Sequence, residues 1–92
     1  MLERDGRTIR RIAPGPDGRL DPRTAGQIIA HYLPEGAIIS DEAATAGGGV
    51  HRYAAAIAPH DHLSLTGGSI GQGIPLATGA AVACPDRKVV CL

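Results

Sequence analysis

Three groups of residues in this chain have the types and spacing to do chemistry: a set of nearby histidines, a pair of adjacent carboxylates, and a glycine-rich turn. His51, His60 and His62, with Asp61, could gather round a metal ion, because H-x-H on an extended segment sets two imidazoles on one side. No third ligand stands at a firm spacing, so hydrogen-bonding loop histidines are the better reading. Asp41 and Glu42 are candidates for acid and base. Side chains at successive positions of an extended backbone point opposite ways, so the two cannot share a substrate proton. One can line a site while the other satisfies loop N–H groups.

The glycine turn is the richest of the three. Residues 63–83, LSLTGGSIGQGIPLATGAAVA, read as strand, turn and helix in immediate succession. Leu63 and Leu65 alternate with Ser64 and Thr66, the period of a strand, and Gly67 and Gly68 permit backbone angles closed to other residues. Ile70, Ile74, Ala77, Ala81 and Cys84 then recur at helical spacing, with Pro75 in the first turn, where its missing N–H does little harm. The N–H groups at the start of such a helix favour an anion or a polar ligand edge. A dinucleotide site is the first thought. Gly71, Gly73 and Leu76 give G-x-G-x-x-L, which lacks the third glycine, and no acidic residue follows about 20 positions later to hold a ribose. A phosphate loop of the G-x-x-x-x-G-K-[ST] type is absent.

The elements that must position these groups are legible in order. Residues 1–20 mix Pro14, Pro16 and three glycines with charges and show no apolar period, so they are expected to be a flexible linker. Asp21 offers an N-cap oxygen and Pro22 suits the first helical position. Ala25, Ile28, Ile29, Tyr32 and Leu33 follow at amphipathic spacing until Pro34 and Gly36 stop the helix. Residues 37–40 are a short apolar run suited to a buried parallel strand. Gly47, Gly48 and Gly49 disfavour any regular element, and a short helix over residues 51–58 is the best reading of the segment that follows. After the glycine turn and its helix, Pro85 and a polar turn lead into a last strand, KVVCL. Strands alternating with helices predict a parallel α/β sheet over residues 21–92, with ligands beyond the carboxyl ends of its strands. Residues 41–45 and 66–70 both fall there.

Composition narrows the class. The 92 residues allow at most one small domain, and the two tyrosines are its only aromatic residues, so the core must be built from Ile, Leu, Val and Ala. Nine basic and nine acidic residues balance without a basic stripe, which argues against nucleic acid as a partner. No apolar stretch is long enough to suggest export or membrane insertion. Cys84 and Cys91 fit neither a disulfide framework nor a C-x-x-C site, and are read as reduced thiols of a cytoplasmic protein.

Taken together, the helix ending in LPEGAIISDEAAT and the later LTGGSIGQGIPLATGAAVACPDRKVVCL resemble the diphosphate-binding domain of thiamine-diphosphate-dependent enzymes. The likeness is to the acetolactate synthase large subunit and benzoylformate decarboxylase group. It spans residues 22–92 and implies the first part of a three-layer α/β/α parallel sheet. It further implies that Glu42, Ala44 and Thr45 sit at the cofactor's diphosphate, with backbone and hydroxyl contacts from Ala44 and Thr45. The turn of Gly67, Gly68, Ser69 and Ile70 would receive the aminopyrimidine ring, Gly68 giving its carbonyl to the ring's amino group. Ile70 would be the apolar wedge under the bent cofactor; a branched side chain holds such a bend better than a flexible one.

The resemblance also implies what is missing. In the family the last strand runs into a G-D-G-S turn whose aspartate, with a later asparagine, binds the magnesium that grips the diphosphate. The catalytic glutamate lies on a separate pyrimidine-binding domain. Neither is present by Leu92. The expectation is therefore a truncated or split piece of a decarboxylase or carboligase, a lyase or transferase acting on 2-oxo acids such as pyruvate, oligomeric in its full form. Such a piece would bind cofactor weakly and have no turnover of its own. Two alternatives stand beside it: an interaction module completing a partner chain, and a nicotinamide-dinucleotide-binding protein.

Overall fold

The computed structural model describes residues 2–4, 7–9, 18–54 and 58–92. It begins with a two-stranded antiparallel hairpin, β1 (Leu2–Arg4) and β2 (Arg7–Ile9), in which Leu2 lies opposite Ile9. The linker reading of residues 1–20 contained no element here. Residues 10–17 of that expected linker lie outside the described residues.

Helix α1 (Pro22–Tyr32) starts where its caps dictate. The Thr24 amide donates to Asp21 Oδ1 at 2.7 Å and the Asp21 amide donates to Thr24 Oγ1 at 2.9 Å, a reciprocal box that satisfies two otherwise orphaned donors. The hydrogen bonds from Thr24 hold the Asp21 carboxyl below the usual carboxylate range. The helix ends before Leu33, which adopts the extended backbone required ahead of Pro34. Strand β3 (Ala37–Asp41) follows, with residues 37–40 buried, as a strand covered on both faces should be.

Helix α2 (Gly47–Ala54) forms in spite of the three consecutive glycines expected to disfavour regular structure, and it begins four residues earlier than 51–58 predicts. Tertiary packing overrides propensity. A methyl at Gly26 of α1 would collide with the carbonyl carbon of Gly49, and one at Gly49 would lie 2.5 Å from the Pro22 oxygen. The two helices approach backbone to backbone, and glycine is what the approach demands. Residues 55–57, within the predicted helix, lie outside the described residues.

Strand β4 (His60–Ser64) runs earlier than the 63–66 alternation suggests, because β3 pairs with it along five residues, from Ala37 opposite His60 to Asp41 opposite Ser64. A 3-10 turn over Thr66–Gly68 leads to α3 (Gly73–Ala83) and then to β5 (Val89–Cys91), which pairs with the other side of β3. The sheet is parallel, in the order β4-β3-β5. On one face, Ala37 and Ile39 pack with Ala30 and Leu33 at the end of α1 and with Val50 and Ala54 of α2. On the other lies α3, to which the alternate residue Ser40 is tied. This is a small three-layer α/β/α arrangement around a parallel sheet, consistent with a thiamine-diphosphate-binding fold.

The residues that recur at helical spacing along α3 do not share one environment. Ile70, Ile74 and Ala81 are exposed, and the helix meets the sheet through Gly73, which is buried, and through the half-buried Leu76, Ala77, Ala80 and Cys84. The helix is apolar all round, so spacing alone could not say which side the sheet would take. Tyr32, expected on the apolar face of α1, is likewise exposed, at the rim of a cleft it shares with Ile28, Leu33 and Val90. Arg87, just before β5, donates to the Gly36 carbonyl and at 2.6 Å to Asp61 of β4, which ties the amino ends of the three strands together.

Candidate functional site

Strand β3 continues into α2 on one face of the sheet, whereas its neighbour β4 continues through the glycine turn into α3 on the other. Adjacent strands whose following helices leave to opposite faces open a crevice at their carboxyl ends, where α/β sheets bind ligands. Here it is an open cavity of about 300 Å³, walled by Asp41, Glu42, Ala44 and Gly48 from the β3 side and by Ser64 and Leu65 from the β4 side.

The two carboxylates diverge as extended backbone requires, and each braces one loop. Asp41 Oδ1 accepts the Ala43 amide at 2.9 Å, and Asp41 Oδ2 lies 3.0 Å from His62 Nε2, the nitrogen that carries the shared proton. Its carboxylate also fills the space beside Gly47, where a methyl would come within 2.5 Å of it. Glu42 turns the other way. Its Oε1 accepts the Gly71 amide and its Oε2 accepts the Gly73 amide at 2.7 Å. The glycine turn is further folded on Gln72, whose Oε1 accepts the Thr66 amide at 3.1 Å.

Of the residues singled out by sequence, Glu42 and Ala44 line the crevice, and the Glu42 bond to Gly71 brings the two loops side by side. Thr45, Gly67, Gly68, Ser69 and Ile70 are solvent-exposed on these same loops, with Ile70 91% exposed. Gly67 (φ 60°) and Gly68 (φ 69°) adopt the left-handed conformation that glycine favours, with open space where a side chain would stand. Sequence reasoning missed Ser40, whose buried hydroxyl donates to the Gly73 carbonyl at 2.8 Å. A polar residue closing an apolar strand was the available signal.

The histidines do gather. His60 and His62 share a face of β4, and His51 of α2 meets His62 edge-on, with ring centroids 4.9 Å apart. No group of three or more His, Cys, Asp or Glu side chains among the described residues is arranged to hold a metal. Cys84 and Cys91 are free thiols. No described helix is long and apolar enough to cross a membrane.

Two ligand chemistries can be tested against this geometry. A pyrophosphate docked on the start of α3, as a dinucleotide would be, needs N–H groups that Glu42 already occupies, which counts against the dinucleotide reading. For thiamine diphosphate the fit is divided. The open glycine turn suits the flat ring, but no basic side chain lines the crevice to meet a diphosphate, and no magnesium ligand set stands beside it among the described residues.

No protein-family model matches this chain, and no solved structure matches it. Over 77 residues, 84% of this chain, it is 49% identical to a protein of Mycobacterium tuberculosis named "Putative acetolactate synthase large subunit IlvX". The chain spans 15% of the length of that relative. The likeness, and the fold that carries it, support an acetolactate synthase-like family for this chain.

Proposed function

We propose that this chain supplies part of the cofactor site of a thiamine-diphosphate-dependent enzyme acting on 2-oxo acids such as pyruvate. The observation that carries the reading is the pairing of the 41–45 loop with the 66–72 turn at the carboxyl ends of neighbouring strands, joined through Glu42. When bound, thiamine diphosphate supplies a thiazolium that stores the electrons released as carbon dioxide leaves. The chain's own residues position it. Ala44 and Thr45 offer backbone and hydroxyl groups to the diphosphate, Gly68 offers its carbonyl to the aminopyrimidine, and the free-standing Ile70 supports the bend between the rings.

The described residues offer neither a magnesium site nor a basic side chain in the crevice. In this reading both the counter-charge and the general base come from polypeptide beyond these residues, and the chain by itself has no turnover. Calorimetric titration with thiamine diphosphate and magnesium, run beside the same titration with a nicotinamide dinucleotide, is the test. Weak binding of the first and none of the second is expected. Binding of the dinucleotide alone, or steady-state decarboxylation of a 2-oxo acid by the purified chain, would overturn it.

A second role accompanies the first and rests on α3. Ile74 and Val82 are exposed on an apolar helix, 71% and 78% respectively. A helix of that kind needs cover. The chain would thus dock onto the polypeptide carrying the remainder of such an enzyme, and mixing the two would give a complex strengthened by the cofactor.

A further inference from the structure

Ser40 and Glu42 lie two positions apart at the end of β3, on the face that meets α3. Between them they hold both polar groups of one residue. The Ser40 hydroxyl, fully buried, donates to the Gly73 carbonyl at 2.8 Å, and Glu42 Oε2 accepts the Gly73 amide at 2.7 Å. The second carboxylate oxygen reaches back to the Gly71 amide, inside the turn that carries the proposed ring contacts. Gly73 is itself shaped to this grip, since a methyl there would lie 2.7 Å from Glu42 Oε2 and 2.9 Å from Glu42 Cβ.

We infer that Glu42 is a positioning residue, which clasps the start of α3 as its resident anion and sets the shape of the glycine turn, with Ser40 as the second half of the clasp. The role assigned to the turn rests on the cofactor reading above; the clasp itself does not. A carboxylate accepting two backbone N–H groups at a helix start makes charge-assisted hydrogen bonds and complements the helix dipole. It also keeps any phosphate of a ligand away from that terminus. The diphosphate is left to the 41–45 loop, and the glycine turn is left to an uncharged or cationic ring. Glu42 therefore governs the orientation of the ligand through the shape of the turn, its two carboxylate oxygens being committed to the Gly71 and Gly73 amides.

The test uses the 92-residue chain and two readouts. The first needs no ligand: amide hydrogen exchange at Gly71 and Gly73, resolved by nuclear magnetic resonance. In Glu42→Ala both amides are expected to exchange at least about tenfold faster, with the β3 amides unaffected. Excess acetate, a small carboxylate able to enter the vacated space, is expected to restore part of the protection. Glu42→Gln keeps the side chain's shape but loses one acceptor, and serves if the alanine variant fails to fold. Unchanged exchange in both variants would overturn the clasp. The second readout is titration with thiamine diphosphate and magnesium, where Glu42→Gln is expected to bind about tenfold more weakly than wild type. Equal affinity in spite of deprotected amides would overturn the positioning role. If the wild type does not bind, the proposed function fails, and the exchange result alone decides the clasp.

Discussion

The two faces of the sheet are built differently. On one, α1 and α2 bury Ala30, Leu33, Val50 and Ala54 against Ala37 and Ile39, and the helices come close enough that Gly26 and Gly49 touch backbone to backbone. On the other, α3 buries Gly73 and leaves Ile74 and Val82 in solvent. The first face is closely packed over β3, held by contacts that a single methyl would disturb. The second is held to the sheet by the polar grip of Ser40 and Glu42 on Gly73 together with the half-buried Leu76, Ala77, Ala80 and Cys84. Stability resides on one side and the proposed ring contacts on the other, next to the surface that lacks cover.

Substitutions can break or sharpen this contrast. The largest loss is expected for Ile39→Ala, which opens a cavity in the closely packed face and costs about 3 to 4 kcal/mol in denaturant unfolding. Gly26→Ala, which forces α1 and α2 apart, is expected to cost about 2 to 3 kcal/mol. Ser40→Ala removes a buried hydrogen bond to the Gly73 carbonyl, a cost of about 1 kcal/mol that should loosen α3 more than α2 in hydrogen exchange. Val82→Ser, on the bare face, is expected to change stability by less than about 0.5 kcal/mol. A loss at Val82 as large as that at Ile39 would erase the difference between the faces.

The cap of α1 adds a pH dependence. Thr24 holds the Asp21 carboxyl below its ordinary pKa, so the folded state binds fewer protons than the unfolded chain near that value. Its stabilisation is complete above the unfolded carboxylate pKa of about 3.9 and is lost as pH falls through the lower, folded value. The difference in melting temperature between wild type and Asp21→Ala should therefore shrink from neutral pH toward pH ~2. A difference that holds constant over that range would remove the cap from the account.

Much of this was written in local sequence. Asp21 and Pro22 announce α1, residues 37–40 announce a buried strand, and Gly67 and Gly68 announce the turn, because in each case short-range chemistry and the final fold agree. What escaped depends on contacts distant in sequence. Gly47 to Gly49 read as a break, and only contacts with Gly26 and Pro22, more than twenty positions earlier, explain why glycine is needed at Gly49. The packed side of α3 could not be read from an apolar helix with no polar face. The partners of Glu42 lie some thirty residues away, so sequence could say that one of two adjacent carboxylates would satisfy loop N–H groups, though not which one or which groups.

The central claim is that the loops following β3 and β4 jointly form one end of a thiamine diphosphate site. The most direct measurement is the residue-resolved change in amide resonances of this chain on adding thiamine diphosphate with magnesium. Changes concentrated at residues 43–45 and 66–71 are the result this account predicts. Saturating ligand that leaves both loops unperturbed, or that perturbs only the opposite end of the sheet around Gly36 and Arg87, would contradict it.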